Sequence, residues 1–191
     1  MAFNAYLVFK TGQGDEINGE STSLPDKTAK EKVGIEISDY GFGVSMPVAA
    51  SRSDGGGATV GRANFDVFTC TKNIDTATCK LVEYCCKGLA IEKAVLHLYR
   101  QGDVAEESGV VKYAMVTFKH CVVTKVGISG GGEELPKESL EFNYGICEYM
   151  YQETHHDTGK KSDRATDHAG WSSIKNKVES GLQKFDAFMP S

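Results

Sequence analysis

The sequence predicts a mainly β protein, an antiparallel barrel or sandwich with one flanking helix. Apolar and polar residues alternate with a period of two through most of the chain, which is typical of strands with one buried face. The period changes to between three and four in one internal stretch, at about residues 75–88. Turns rather than helices join the alternating segments, so the pattern favours an antiparallel sheet over βαβ units.

The first third of the chain predicts three strands. The first spans about residues 3–9, and a polar connector at 12–30 follows it. The second is a long strand over about 33–46, bent at its glycines. The third runs from about 59 to 69, where Phe65, Val67 and Thr69 alternate with Asp66 and Phe68.

One helix is predicted from Asp75 to Gly88. Asp75 is the expected N-cap, because its carboxylate can accept hydrogen bonds from the free amides of the first turn. Gly88 is expected to end the helix in the left-handed conformation. The helix has one apolar face, made of Ile74, Ala77, Leu81, Tyr84 and Cys85, and an opposite charged face, made of Lys80, Glu83 and Lys87.

Three further strands are predicted after the helix. Segments 90–99 and 112–126 form a hairpin around an acidic turn. A glycine-rich loop at 127–137 then leads to a last strand at 139–152, which is rich in aromatic residues. The prediction therefore counts at least six strands.

We expect one domain over residues 1–170 and a C-terminal tail over 171–191. A chain of 191 residues is long enough for one substantial core. The tail is predicted to be a short helix or disordered, since its apolar residues recur at helical spacing but Gly181 weakens the pattern. These apolar residues are Ile174, Val178, Leu182, Phe185 and Met189.

Composition argues against several classes of protein. The net charge is −5 and no Lys/Arg cluster stands out, so nucleic acid is not an expected partner. No apolar run approaches the roughly 18 to 20 residues that cross a bilayer, so membrane insertion is not expected. The segment Met1–Tyr6 lacks the basic region of a Sec signal peptide, which predicts folding in the cytoplasm. Six cysteines without CxxC spacing are expected to stay reduced.

No catalytic motif is apparent in the sequence. Neither a Gly-x-Ser-x-Gly nor a His-Glu-x-x-His motif occurs, and the glycine clusters lack the lysine end of a phosphate loop. His155, His156, Asp157 and His168 form the best metal candidate, although a solvated loop is the favoured interpretation. We therefore expect no enzyme, cofactor or bound metal, and a function in binding or assembly.

The chain resembles the hemolysin-coregulated protein family, Hcp, of type VI secretion. The resemblance spans about residues 3–177 and depends on the order and spacing of several segments. These are Gly19-Glu20-Ser21, Phe68 to Gly88 with Thr71-Lys72-Asn73-Ile74-Asp75, strands 90–99 and 112–126, Glu138 to Tyr151, and Gly170-Trp171.

The resemblance implies a β-barrel of two sheets with one flanking helix, assembled into hexameric rings. In this family the rings stack into a tube inside contractile sheath proteins, with a spike protein at the tip. The tube is exported without a Sec signal peptide, and effector proteins can occupy the lumen. The expected function is a structural subunit of the inner tube. The alternatives are an effector carrier ring that builds no long tube, or a small-ligand or metal-binding barrel.

Two contact surfaces follow as hypotheses from the resemblance. The loop at 51–58 is expected to contact an adjacent subunit or ring through Arg52, Asp54, Gly55, Gly56 and Gly57. The charged helix face, with Lys80, Glu83 and Lys87, is expected to line the lumen.

Overall fold

The fold is described from a computed structural model. The structure describes residues 3–12, 17–21, 34–48, 61–101, 110–132, 135–153 and 167–178. Within these ranges lie twelve strands and one helix. They are β1 (Phe3–Lys10), β2 (Ile35–Ile37), β3 (Asp39–Gly41), β4 (Val44–Ser45), β5 (Asn64–Phe65), β6 (Phe68–Asn73), α1 (Ala77–Lys87), β7 (Ala90–Gln101), β8 (Val110–Ser129), β9 (Lys137–Asn143), β10 (Ile146–Tyr151), β11 (Asp167–Ser172) and β12 (Lys177–Val178).

Ten strands form one antiparallel sheet with two branches that share β8. One branch has the order β12-β11-β10-β8-β7-β1-β2, and the other continues from β8 through β9 and β6 to β3. Along one edge, β8 has two successive partners. Residues 114–119 pair with β10, and residues 122–129 pair with β9. His120 lies at this change of partner and has a φ of 56°. The mainly β, antiparallel fold with one helix is confirmed, as is the β7–β8 hairpin.

The sheet is not closed into a barrel, which corrects the expected barrel closure. The two branches meet at Ser38, the single residue between β2 and β3. Its backbone N–H donates to the carbonyl oxygen of Thr71 at 2.8 Å, and β3 continues along β6 from there. β2 itself pairs only with β1 among the described strands. The backbone ladder is therefore interrupted at this bend.

Three segments predicted as single strands are each divided. The segment 33–46 forms β2, β3 and β4, and the segment 59–69 contributes β5 and the start of β6. The segment 139–152 is interrupted at Tyr144 and Gly145, where the chain passes from β9 to β10. The pairing partner changes at each division, because the chain must bend out of one strand pair before it can form hydrogen bonds with another strand.

The buried positions of β6 are the even-numbered ones. Phe68, Cys70 and Lys72 are buried, whereas Val67 is exposed. Phe68 stacks on Phe142 of β9 with ring centroids 4.6 Å apart, and Phe118 of β8 contacts both rings edge-on. These aromatic side chains form the centre of the core, where large buried rings contribute most to burial energy.

The helix begins one residue later than predicted. Thr76 is the N-cap and Ala77 the first helical residue, although the Asp75 carboxylate does accept the N–H of Ala77 at 3.0 Å. Gly88 ends the helix with a φ of 61°, as expected. Ala77, Leu81 and Tyr84 are buried in the core. Ile74, predicted on the buried face, is 42% exposed because it precedes the helix and follows the end of β6.

The C-terminal region does not follow the predicted helical pattern where the structure describes it. β11 crosses the expected division at residue 170 and pairs with β10. A turn at 173–176 then leads to β12, so Ile174 and Val178 lie in a turn and a strand rather than in a helix. Residues 179–191 lie outside the described ranges, and the division into domain and tail stays a prediction.

Candidate functional site

The outer face of α1 carries a small charged cluster. Glu83 bridges two lysines, with Lys87 Nζ 2.6 Å and Lys80 Nζ 3.1 Å from its carboxylate. The hydrogen bond from Lys87, followed by that from Lys80, holds the pKa of Glu83 below its usual value. All three residues therefore lie on one accessible face, as the sequence predicts.

A buried ion cluster fixes the start of α1 to the sheet. Lys72 of β6 lies directly opposite Glu138 of β9, and both side chains are completely buried. Lys72 Nζ lies 3.0 Å from the Glu138 carboxylate, 2.6 Å from Asp75 Oδ1 and 3.0 Å from Thr78 Oγ1. Because Asp75 also accepts the N–H of Ala77, one cation holds both the sheet and the first helical turn.

The hydroxyl of Thr78 completes this cluster. It donates to Glu138 Oε2 at 2.5 Å and accepts from Lys72 Nζ and from the backbone N–H of Asp75. The second oxygen of Glu138 is buried without a hydrogen-bond partner. The charge of Glu138 is therefore compensated almost entirely through Lys72 and Thr78, and loss of either contact is expected to be costly.

The segment before the helix is held by the Gly19-Glu20-Ser21 sequence. Glu20 Oε1 accepts the backbone N–H of Thr76 at 3.1 Å. A Cβ on Gly19 would lie 2.5 Å from the carbonyl oxygen of Gly34, so only glycine allows this close approach. Ser21 then pairs with Gly34 through a single bridge. The resemblance motif thus has a structural role in positioning α1.

A largely apolar groove of about 790 Å³ lies between the β4–β5 pair and strands β10 and β11. Its wall includes Phe42, Val44, Met46, Tyr149, Trp171 and Val178. Val44 and Met46 are 64% and 48% exposed, which is unusual for apolar residues beside a core. Sequence reasoning missed this groove, because the β4–β5 pair had been expected to belong to long strands.

Two buried polar groups in the groove wall have no hydrogen-bond partner. They are the hydroxyl of Tyr144 and the indole Nε1 of Trp171. Burial raises the pKa of Tyr144, so its hydroxyl stays protonated at physiological pH. A buried donor without an acceptor costs about 1–3 kcal/mol. The groove therefore offers apolar contacts, and these two polar groups lie beneath its accessible surface.

One strand edge near the groove is open within the described ranges. β12 pairs with only Trp171 and Ser172 of β11. No described strand pairs with the outer side of residues 167–170, and these residues are mostly exposed. Exposed edges of this kind are available for pairing with another chain.

Several predicted site residues lie outside the described ranges. They are Arg52, Asp54, Gly55, Gly56 and Gly57 of the proposed contact loop, and His155, His156 and Asp157 of the metal candidate. His168 lies exposed on β11 at the groove. Among the residues that the structure describes, no three His, Cys, Asp or Glu side chains form a group that could hold a metal ion. Those ranges also contain no helix that is long and apolar enough to span a bilayer.

The six cysteines are free thiols. Burial raises the pKa values of Cys70, Cys121 and Cys147 to about 12. These three thiols are therefore neutral at physiological pH and act as small apolar side chains, because the thiolate is the reactive form. Cys79 and Cys86 on α1 are exposed.

Comparison with known proteins identifies the family. The sequence profile described as "Type VI secretion system effector, Hcp" matches residues 6–151, which is most of the chain. The chain belongs to the Hcp family. This family relationship confirms the resemblance seen in the sequence. It places the chain among proteins of the type VI secretion system, a family of secreted proteins. No curated protein matches the chain significantly.

Solved Hcp-like structures share the fold over nearly the whole chain. A type six secretion system protein is 26% identical with a TM-score of 0.77, and the alignment covers 93% of this chain and 100% of that one. Hcp1 from Salmonella typhimurium is 23% identical with a TM-score of 0.67, covering 94% and 100%. A type VI secretion system effector from Yersinia pestis is 18% identical with a TM-score of 0.60, covering 88% and 98%.

Proposed function

We propose that this Hcp protein is a structural subunit of the inner tube of type VI secretion. In this proposal it assembles as hexameric rings that stack, are exported through a contractile sheath with a spike protein at the tip, and can hold effectors in the lumen. The family match over residues 6–151 carries the proposal. It is supported by the fold, which corresponds to the full length of a type six secretion system protein.

Two surface features of the subunit suit lateral contact within a ring. The outer edge of β11 at residues 167–170 is unpaired within the described ranges, and the apolar side chain of Val48, which does not line the groove, is 54% exposed. A neighbouring subunit would cover such surfaces and remove the aggregation hazard of an open edge. A closed ring is the assembly in which every subunit covers the same surface of the next.

Charge sets a condition on stacking. A ring of six subunits carries six times −5, or −30, so overall charge opposes the approach of a second ring. Stacking therefore depends on local complementarity. In our proposal Arg52 and Asp54 supply it from the loop at 51–58, whose glycines Gly55, Gly56 and Gly57 allow close backbone contact.

Electron microscopy of the purified protein tests ring formation and the role of the loop. The proposal predicts six-fold rings and, at high concentration, stacks of rings. Deletion of residues 52–57 should reduce stacks or rings. Replacement of the same residues by Gly and Ser at constant length separates loss of specific contacts from a change in loop length. Stacks that persist unchanged in both variants would remove the loop from the interface.

The charged face of α1 provides a test for the lumen. If Lys80, Glu83 and Lys87 border the lumen, reversal of both lysines to glutamate should change the retention of co-expressed effectors while ring mass stays constant. Lys125→Glu is a control, because Lys125 is exposed on β8 and forms its ion pair with Glu141 of β9 rather than with a residue of α1. Equal retention in all three proteins would contradict a lumenal helix.

An effector carrier ring is the second candidate function. The exposed charged face of α1 supports it, because such a face offers ion pairs to a bound effector. Deletion of the gene separates the two functions. A tube subunit is required for all secretion by the apparatus, whereas loss of a carrier lowers the levels of its own effectors and leaves the remaining secretion intact.

A further inference from the structure

The groove between the β4–β5 pair and β10–β11 combines features of an occupied site. Its wall is mainly apolar, and its volume of about 790 Å³ is large enough for several side chains. Tyr144 is only 5% exposed, and its hydroxyl has no hydrogen-bond partner. The indole N–H of Trp171 is also buried and unpartnered. The apolar wall calls for an occupant with apolar side chains, while these two polar groups lie beneath the accessible surface.

The position of the chain at the groove indicates the occupant. The described chain stops at Val178, which itself lines the groove. Thirteen residues, 179–191, follow in the sequence, and they include Leu182, Phe185, Phe188 and Met189. An extended segment of that length reaches up to about 45 Å. A segment that starts at the groove is also present there at high effective concentration.

We propose that residues 179–191 dock in this groove as an intramolecular apolar segment. Phe185 and Phe188 fill the space beside Val44 and Met46. The segment thereby covers the exposed apolar wall in each subunit. The proposal does not depend on ring assembly, because both sides of the contact belong to one chain.

Trp171 is the only tryptophan of the chain, so its fluorescence reports on the groove. Acrylamide quenching should be measured on the full-length protein and on the double variant Phe185→Asp/Phe188→Asp. Loss of docking should raise the quenching constant about two-fold or more, since two aspartates cannot replace the apolar contacts. The control Ser180→Asp/Gln183→Asp adds the same two charges to the segment without removing a large apolar side chain, and it should quench like the parent protein.

A variant of the groove wall tests the same contact from the other side. Met46→Asp should raise quenching as the tail variant does. Ile128→Asp is its control, because Ile128 is a similarly exposed apolar residue that does not line the groove, and it should leave quenching unchanged. Circular dichroism and the solution mass of each variant establish that fold and assembly are retained.

Two results would overturn the proposal. Quenching that is the same in the parent and the Phe185→Asp/Phe188→Asp variant would mean that the segment does not shield Trp171. Shielding that grows with protein concentration over a hundred-fold range would assign the groove to a second copy of the chain. Shielding that is independent of concentration and lost in both groove-contact variants is the result that the proposal predicts.

Discussion

Lys72 and Glu138 show how a pair of buried charges can be specified by strand geometry. Lys72 lies on the same buried face of β6 as Phe68 and Cys70. Glu138 lies on the same buried face of β9 as Leu140 and Phe142. The two residues are direct cross-strand partners. Their position next to the start of α1 lets one ammonium group compensate Glu138 and Asp75 together.

Removal of Lys72 is expected to destabilise the protein strongly. Lys72→Met keeps the length of the side chain but leaves Glu138 buried without its cation, which should cost about 3–5 kcal/mol in the free energy of unfolding. Urea denaturation measures the change. The double variant Lys72→Met/Glu138→Leu removes both charges and should lose much less than the single variant. A cost below about 1 kcal/mol for Lys72→Met would contradict this role.

Lys93 introduces a pH dependence of stability. Burial, followed by repulsion from Lys119, lowers the pKa of Lys93 from 10.5 to about 8 in the folded protein. The unfolded chain therefore binds more protons than the folded chain between about pH 8 and 10.5, and the contribution of Lys93 to stability becomes more favourable as the pH rises through that window. Below pH 8 the penalty for the buried charge is complete.

Comparison with Lys93→Met isolates this effect. The variant lacks the titrating group, so the difference in unfolding free energy between variant and parent should shift in favour of the parent from pH 8 to 10.5. Ionisation of the buried thiols occurs in both proteins and cancels in the difference. Urea denaturation at several pH values provides the measurement, and parallel profiles would show that Lys93 does not titrate in this range.

At the scale of single residues, the sequence predicted the exposed helix face but not the buried charges. Lys80, Glu83 and Lys87 lie at helical spacing opposite the apolar residues, so their exposure follows from the pattern. The burial of Lys72 was missed because charged residues in strands usually face solvent. Lys72 lies two residues after Cys70 and four after Phe68, so the alternation of β6 could have predicted that it lies on the buried face.

Helix α1 is the element that the sequence determines best. Its end depends on Gly88, whose φ of 61° is costly for any residue with a Cβ. Gly88→Ala should reduce stability by about 1 kcal/mol, although no atom lies within 4 Å of the added methyl group. The expected loss is therefore purely conformational.

Gly131→Ala is the matched control for the helix end. Its added methyl group also meets no atom within 4 Å, but Gly131 does not have a positive φ. This variant should change stability by less than about 0.5 kcal/mol. Thermal unfolding of the two variants gives the comparison, and equal effects would show that the left-handed conformation is not the cause.

Strands were predicted in place but not in their divisions. Alternation of apolar residues shows that a segment is extended, yet it carries no information on which neighbour the segment pairs with. Tyr144 and Gly145 were therefore predicted to lie within one strand. In the structure the pairing partners change there: β9 pairs with β6 and with residues 122–129 of β8, whereas β10 pairs with residues 114–119 of β8. Residues 171–178 were misjudged for a related reason, since apolar residues four apart fit both a helix and a turn followed by a strand.

For the whole molecule, family membership came from the order of motifs rather than from any single site. Gly19-Glu20-Ser21 and the region from Phe68 to Gly88 hold the helix on the sheet, so they carry the fold. The groove could not be predicted from the sequence, because its walls come from segments about a hundred residues apart.

The central claim is best tested by light scattering of the purified protein in solution. The proposed ring has a mass of about 124 kDa, which is six times the 20.7 kDa of one chain. A concentration series up to the millimolar range keeps a weak ring from being overlooked. A plateau at the six-fold mass is the predicted result. A mass of 20.7 kDa at every concentration would contradict self-assembly into hexameric rings.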